Sequence, residues 1–437
     1  MTPYEILLSE SQERMLIIVE RGREATVKEI FDKWDLPYAC VGEVTDDGMM
    51  RVLNHGRVEV EIPADKLAND APVYKRRAEA GAPAAVLRIE DVPPADLRDS
   101  LIRLLADPTI ASKNWVFRQF DHTVRAGTVV PPGSDAAVFY VREANKYLAA
   151  TTDCNSLYCK MNPREGARIA VAEAARNLVC SGAKPLAVTD NLNFGNPYQP
   201  ENFWQLREAV EGLAEACVRF GTPVTGGNVS LYNQSPNGAI DPTPTVGMVG
   251  IIDEERWITR QFFQDPSDVI YLIGPVGDEL GASQYLKIIH GRKGFLPPRL
   301  SYDLELGVQA VVLALIRQGL VRSAHDCSEG GFAVALAECC ISGERRIGAS
   351  VDFGHWPVRL DQILFNESQS RVIISVRPED TIALEATCGA AEIQYGRVGE
   401  VGGSELVVST QRETLRWDVA ELYQAWYSSI ERAMSSH

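Results

Sequence analysis

Apolar positions recur with a helical period over residues 165–180 and 201–220, and each run stops at a glycine, Gly182 or Gly221, with a proline and a short apolar segment just beyond. That order of helix, turn and strand predicts two helix–strand passages in succession. The first strand, 186–189, runs out into Asp190-Asn191-Leu192-Asn193-Phe194-Gly195-Asn196-Pro197, and the second, after Pro223, opens into Thr225-Gly226-Gly227-Asn228-Val229-Ser230. Both endings read as small, polar, acceptor-rich loops at strand C-termini, inside an α/β block over about 114–265. Downstream, the pattern predicts a strand at 269–273, an amphipathic helix near 304–318 and a helix over 332–340. A linker rich in Ala and Pro covers 71–94, with a short helix near 95–106, and an amphipathic helix is expected near 419–434.

The chain repeats itself. LLSESQERMLIIVE, starting at Leu7, aligns without gaps to LFNESQSRVIISVR, starting at Leu364, at an offset of 357 residues. Seven positions match, where unrelated sequence gives about one by composition, and Tyr38 and Val41 to Val44 meet Tyr395 and Val398 to Val401 at the same offset. Each copy reads as a polar loop, a β-branched buried strand, a helix and a second strand. The second copy is preceded by predicted strands and helices, whereas only six residues precede the first. An α/β unit without its leading elements exposes sheet surface, so the expectation is that the chain is the later part of something longer, through a split gene or a start inside a domain.

At 437 residues, two to four domains fit. Hydrophobic residues at 45% and charged residues at 23% are those of a globular chain able to bury a large core. The net charge of −16, with acidic residues spread along the chain and no obvious excess of Lys and Arg on any face, makes nucleic acid a poor partner. It leaves phosphorylated metabolites open, provided backbone N–H groups and Mg²⁺ carry the anion contacts. Nine cysteines, odd in number and without a C-x-x-C pair, suit a reduced, cytoplasmic chain. The longest apolar stretch, Ala310 to Ile316, is far short of the roughly 20 residues a membrane span takes.

Candidate chemistry sits at the strand ends. Paired glycines let backbone N–H groups approach a phosphate, Asp190 can bind Mg²⁺ or a hydroxyl, Asn228 offers a neutral oxygen ligand and Ser230 a hydrogen bond. The same loops are also what turns around left-handed glycines require. His325-Asp326-Cys327-Ser328-Glu329-Gly330-Gly331 has the layout of an anion site at a helix N-terminus, or equally of capping by Ser328 with Glu329 in the first turn. The Glu-Ser-Gln loops at 10–12 and 367–369 share a structural role at least. Walker A and G-x-G-x-x-G patterns are missing, no two histidines have zinc-ligand spacing, and no cysteine sits in a nucleophile elbow.

SESQERM, TTDCN (Thr151 to Asn155), AVAEAARNL (Ala170 to Leu178), TDNLNFGNP (Thr189 to Pro197), GGNVSLYN (Gly226 to Asn233), PTPTVGMVG (Pro242 to Gly250) and AHDCSEGG (Ala324 to Gly331) together resemble the phosphoribosylformylglycinamidine synthase family, in its synthetase subunit of the small, multi-chain type. The resemblance runs over essentially the whole chain. It implies an α/β (α+β) fold of tandem-duplicated A and B domains like those of aminoimidazole ribonucleotide synthetase. Residues 1–74 would be the second half of the first B domain, 75–113 a linker with a short helix, 114–265 the second A domain, 266–410 the second B domain and 411–437 a helical tail. The first A domain and the start of the first B domain would be absent, and with them the family's catalytic histidine and main Mg²⁺ carboxylates, so no catalytic residue is expected in this chain.

The implied reaction is ATP-dependent conversion of formylglycinamide ribonucleotide and ammonia to the amidine in purine biosynthesis, a carbon–nitrogen ligase chemistry. Carried over by position, Glu10, Ser11, Gln12 and Ser230 would contact the substrate, Asp190 and Gly227 ATP, and Asn228 Mg²⁺. Asp153, Asp326 and Glu367 would belong to an auxiliary nucleotide site. The implied partners are a glutaminase subunit, a small bridging subunit and the missing N-terminal half. Two other readings stand beside this one: a different ATP-using member of the superfamily, such as a thiamine-phosphate kinase or selenophosphate synthetase, and a non-catalytic fragment that binds nucleotide or a partner. The fragment reading predicts no synthetase activity from the chain alone, and self-association through uncovered apolar surface.

Overall fold

The structure, a computed structural model, describes residues 1–10, 14–354 and 358–435 and divides into two compact units, Met1–Lys75 and Arg76–His437. The first unit holds a short helix, Pro3–Leu8, closed by a Thr2/Glu5 capping box, a helix Glu24–Lys33, and a hairpin of β1 (Met49–Asn54) and β2 (Arg57–Pro63). The hairpin turns on His55 and Gly56, both at positive φ (48° and 79°), the conformation that matches strand twist in a two-residue turn. Among the described residues of this unit none is buried.

Here one expectation fails. Residues 14–20 and 38–44 of the first repeat copy form no strand, although the helix between them is present. The equivalent strand of the second copy lies between two others that satisfy its backbone on both sides. Among the described residues of the first unit no strand flanks residues 14–20, and an unpaired apolar strand has nothing to hold it.

The second unit carries two sheets. The first runs in the order β3 (Thr128–Val130), β4 (Ala137–Val141), β5 (Lys146–Asp153), β10 (Thr243–Ile252), β6 (Lys184–Asn193), β7 (Val224–Ser230), all antiparallel except the final β6–β7 pair. A two-residue hairpin, β8 (Gln234–Ser235) and β9 (Gly238–Ala239), follows β7. Helices Pro163–Cys180 and Pro200–Phe220 cover one face, burying Val188, Leu192, Val246 and Met248 against Ala167, Ala174, Leu178 and Leu213. Pro at the first helical position starts both, and Asn162 caps the first through the Glu165 N–H. Small residues bring them close: a Cβ on Gly212 would sit 2.3 Å from the Arg164 carbonyl. The opposite face carries Leu186, Thr189, Asn191 and Val249 exposed.

The second sheet runs β12 (Val321–Asp326), β14 (Val372–Val376), β11 (Val269–Ile273), β15 (Tyr395–Val401), β13 (Ala349–Asp352), β16 (Glu405–Ser409), β17 (Thr414–Asp418). β11 and β14, both interior strands, are buried along their whole lengths. Helices Gly331–Ile341 and Leu360–Phe365 pack on one face and Tyr302–Arg317 on the other. The expected tail helix is two, Val419–Tyr427 and Ser429–Ser435, and the linker helix is Leu97–Ala106, capped by Asp96. Among the described residues no helix is long and apolar enough to cross a membrane.

Candidate functional site

The two polar passages expected as loops are strand. β6 extends through Asn193 and β7 through Ser230, paired in parallel as Asp190 with Gly227, Asn191 with Asn228 and Asn193 with Ser230. Gly226 and Gly227 are absent from the positive-φ residues, so the left-handed turn reading does not apply to them. Gly227 serves a different purpose: a Cβ there would lie 2.1 Å from Asp190 Oδ1. The bare glycine lets the carboxylate fold against the edge strand.

Strand alternation then separates the side chains. Asp190 pairs across the sheet with buried Val246 and shares parity with buried Val188 and Leu192, which puts it on the helix-covered face. Asn191 and Asn228 lie on the open face, where Thr245 of β10 adjoins Asn191 and completes a polar row across three strands. Since β7 is the sheet edge and Gly226 and Gly227 carry no side chains, a ligand lying over that edge has both faces within reach.

Within this group the Asp190 carboxylate makes no hydrogen bond or ion pair among the described residues, and partial burial raises its pKa above the ordinary carboxylate value. On the facing helix, burial raises the Cys217 thiol above its ordinary pKa against the opposing Thr222 hydrogen bond, with a smaller push upward from the Asp190 charge. The Asn228 amide donates from Nδ2 to Asn191 Oδ1 at 3.1 Å. Ser230 Oγ lies within hydrogen-bond reach of the Asn233 amide, which donates to it at 3.1 Å. The exits of the two strands are knitted together, Phe194 N–H to the Ser230 carbonyl at 3.0 Å and Asn233 N–H to the Phe194 carbonyl at 3.1 Å. Carboxylate, amide and hydroxyl oxygens are each hard donors of the type Mg²⁺ takes, with Asn228 and Ser230 on the open face and Asp190 on the other.

Glu10, in the first unit, is exposed; Ser11 and Gln12 lie outside the described residues. The second copy of the same loop is interior. Glu367, fully buried, accepts from Tyr158 Oη on one oxygen and from the Gly330 and Gln284 N–H groups, at 2.7 and 2.8 Å, on the other. Gln369 Oε1 accepts from Arg176 at 3.0 Å. The expected capping by Ser328 does not occur: the helix begins at Gly331 with Gly330 as its cap, and Glu329 accepts from Asn155 instead.

Arg176 is the hub of this interior. Completely buried, it holds Glu305 at 2.7 Å, Asp326 at 3.4 Å and Glu173 at 3.8 Å, tying the helix under the first sheet to the second sheet. Asp153, half-buried, accepts from Asn177 at 3.3 Å. Burial and crowding by Glu329 and Asp326 hold the Asp153 carboxyl well above its ordinary pKa, while burial pushes Asp326 and Glu367 up to about 7. Beside them His325 bridges Asp135 at 2.8 Å and Glu338 at 3.1 Å. Burial opposes its charge, but Asp135 and then Glu338 outweigh that and raise its pKa well above 6.5. Arg176 did not stand out in sequence, and His325 did so only as the first residue of the 325–331 anion-site layout, without its partners Asp135 and Glu338. Glu305 and Asp135 lie 129 and 190 residues from them in the chain, and the one local signal is a charged residue within a helix otherwise rich in alanine.

Two family models match: AIR synthase related protein, N-terminal domain, over residues 133–252, and AIR synthase related protein, C-terminal domain, over residues 1–54 and 265–410. The chain is 47% identical over 442 residues to phosphoribosylformylglycinamidine synthase subunit PurL of Alkaliphilus metalliredigens (strain QYMF), a match covering 100% of this chain and 60% of that protein. It thus spans about three-fifths of the length of that relative. Among solved structures it is similar in fold to PurLQS from Thermotoga maritima, with TM-score 0.59 and 24% identity over 92% of this chain and 57% of that one. T. maritima PurL complexed with FGAR gives TM-score 0.60 and 18% identity over 76% of this chain and 54% of that one.

Proposed function

The chain belongs to the AIR synthase related family as a PurL homologue, and from that premise we propose that it serves ATP-dependent formation of formylglycinamidine ribonucleotide from formylglycinamide ribonucleotide and ammonia. ATP would activate the formylglycinamide carbonyl and ammonia displace the phosphate. The observation that carries the proposal is the unpartnered Asp190 carboxylate laid against Gly227 at an open sheet edge, with the Asn228 and Ser230 side chains on the other face of the same strand pair.

In this reading Asp190 and Gly227 meet ATP, Ser230 is a substrate contact of the second unit, Glu10, Ser11 and Gln12 are proposed substrate contacts of the first, and Asn228 offers its side-chain oxygen to Mg²⁺. When bound, Mg²⁺ offsets phosphate charge and holds the transferring group in line. The chain's own contribution is position: the knitted strand ends fix Ser230 and Asn233, and the glycine edge leaves room for phosphate oxygens near backbone N–H groups. A nucleotide at Asp153, Asp326 and Glu367 would have to displace Tyr158 from Glu367, so a second binding event is the mark of that auxiliary site. We further assign residues 1–74 to part of one B domain, 114–265 to an A domain and 266–410 to another B domain. The separate compact unit ending at Lys75 supports this division. A glutaminase subunit and a small bridging subunit are the proposed ammonia-supplying partners.

Calorimetry with ATP and Mg²⁺ tests the reading. The wild-type chain is expected to bind, and Gly227→Ala, which drives a methyl into the Asp190 carboxylate, is expected to weaken binding at least tenfold. Absence of nucleotide binding by the wild-type chain overturns the proposal. Amidine formation from the substrate, ATP and ammonium, and then from glutamine with the partner subunits present, tests the reaction itself.

A further inference from the structure

One residue on the open face has no assigned part in the proposed reaction. Asn191 stands directly across from Asn228 in the parallel β6–β7 pair, and its Oδ1 receives the Asn228 Nδ2–H at 3.1 Å. An amide has two ends of nearly equal shape and opposite polarity. Here the nitrogen end of Asn228 is held against β6. Its oxygen is directed away and has no partner among the described residues.

The backbone that carries Asn191 is fixed. The Asn191 carbonyl accepts from the Asn193 amide at 2.9 Å, and the same Asn193 nitrogen also donates to the Thr243 carbonyl at 3.2 Å. β10 pairs Thr243 with Asn193 and Thr245 with Asn191, so β6 is flanked on both sides at this point. The orientation of the Asn228 amide is therefore set from a strand that cannot shift without breaking two registers.

We propose that Asn191 is a positioning residue: it turns the Asn228 amide so that Oδ1, and not the NH₂ group, faces the cation that accompanies the nucleotide. The inference rests on the reading of Asn228 as a cation ligand given above. Without an acceptor at position 191 the Asn228 amide turns over freely, and in half of its orientations it presents hydrogens where a cation requires a lone pair. Nucleotide contacts made through Asp190 and Gly227 lie on the other face and are untouched.

The experiment follows binding of a fluorescent ATP analogue over a range of free Mg²⁺ concentrations. Asn191→Leu, close in size and without an acceptor, is expected to raise the half-saturating Mg²⁺ concentration about fivefold, leaving analogue affinity at saturating Mg²⁺ within twofold of wild type. Asn191→Asp, which can only accept, is expected to stay at or below the wild-type Mg²⁺ requirement. Both positions are exposed, so thermal unfolding of the variants should match wild type and separates a positioning effect from misfolding. If Asn228→Leu raises the Mg²⁺ requirement and Asn191→Leu does not, the positioning role is overturned while the cation-ligand reading stands. If Asn228→Leu leaves the Mg²⁺ requirement unchanged, both fall together.

Discussion

Asp326 and Glu367 are carboxyls held by the fold where the charged form is disfavoured, and that has a measurable sign. From ordinary values of 3.8 and 4.5, burial pushes both up to about 7. Between those limits the folded chain binds more protons than the unfolded one, so stability falls as pH rises through the window. His325, raised well above 6.5, acts in the same sense: its contribution is complete below its unfolded pKa and is lost as pH climbs through the folded one. The melting temperature should therefore be higher at pH 5.5 than at pH 8, with each group contributing a slope of at most about 1.4 kcal/mol per pH unit. Asp326→Asn should flatten the profile, and a wild-type profile that rises toward pH 8 would contradict the assignment. The sequence flagged Asp153, Asp326 and Glu367 as residues to watch. It held no trace of Arg176 as the counter-charge of Asp326, Glu305 and Glu173, because that pairing depends on one helix reaching between two sheets.

At the scale of elements, local chemistry was largely legible. The helices flanked by Pro163 and Cys180, and by Pro200 and Phe220, fall within two residues of where period and proline put them, since capping and amphipathicity are short-range. What local reading missed is that polar, glycine-bearing segments can be strand when a neighbour pairs with them. Asp190 to Asn193 and Gly226 to Ser230 look like loops one by one and become a ladder only together. The first repeat copy errs in the opposite direction, with strand-like residues and no pairing strand among the described residues. Glycine chemistry separates the cases by geometry. Gly331, at φ +69°, faces the Asn366 carbonyl, which a Cβ would meet at 2.2 Å, whereas Gly319, at φ +75°, has nothing within 4 Å. Gly331→Ala should thus cost clearly more than the ~1 kcal/mol expected from Gly319→Ala for conformation alone. Equal losses in chemical denaturation would show that the close approach to the 366–370 loop carries no weight.

Across the whole molecule, burial is unevenly divided. Residues 1–75 contain no buried position among those described, while the unit from Arg76 onward holds every core cluster. Amide exchange should reflect this, with most of residues 14–44 exchanging within seconds and the helix Pro163–Cys180 and strands β11 and β14 protected close to the global limit. Comparable protection in both units would refute that division. Composition and the 357-residue repeat pointed to a multi-domain, duplicated chain, yet how unequally its parts are packed became evident only from the fold. The placement of Asp190 and Asn228 on opposite sides of one strand pair has a genetic counterpart. A complete substitution scan along Val224–Ser230 should not give one block of intolerant positions. It should give two interleaved series of alternate codons, each sensitive to a different fault, one in nucleotide contact and one in metal requirement.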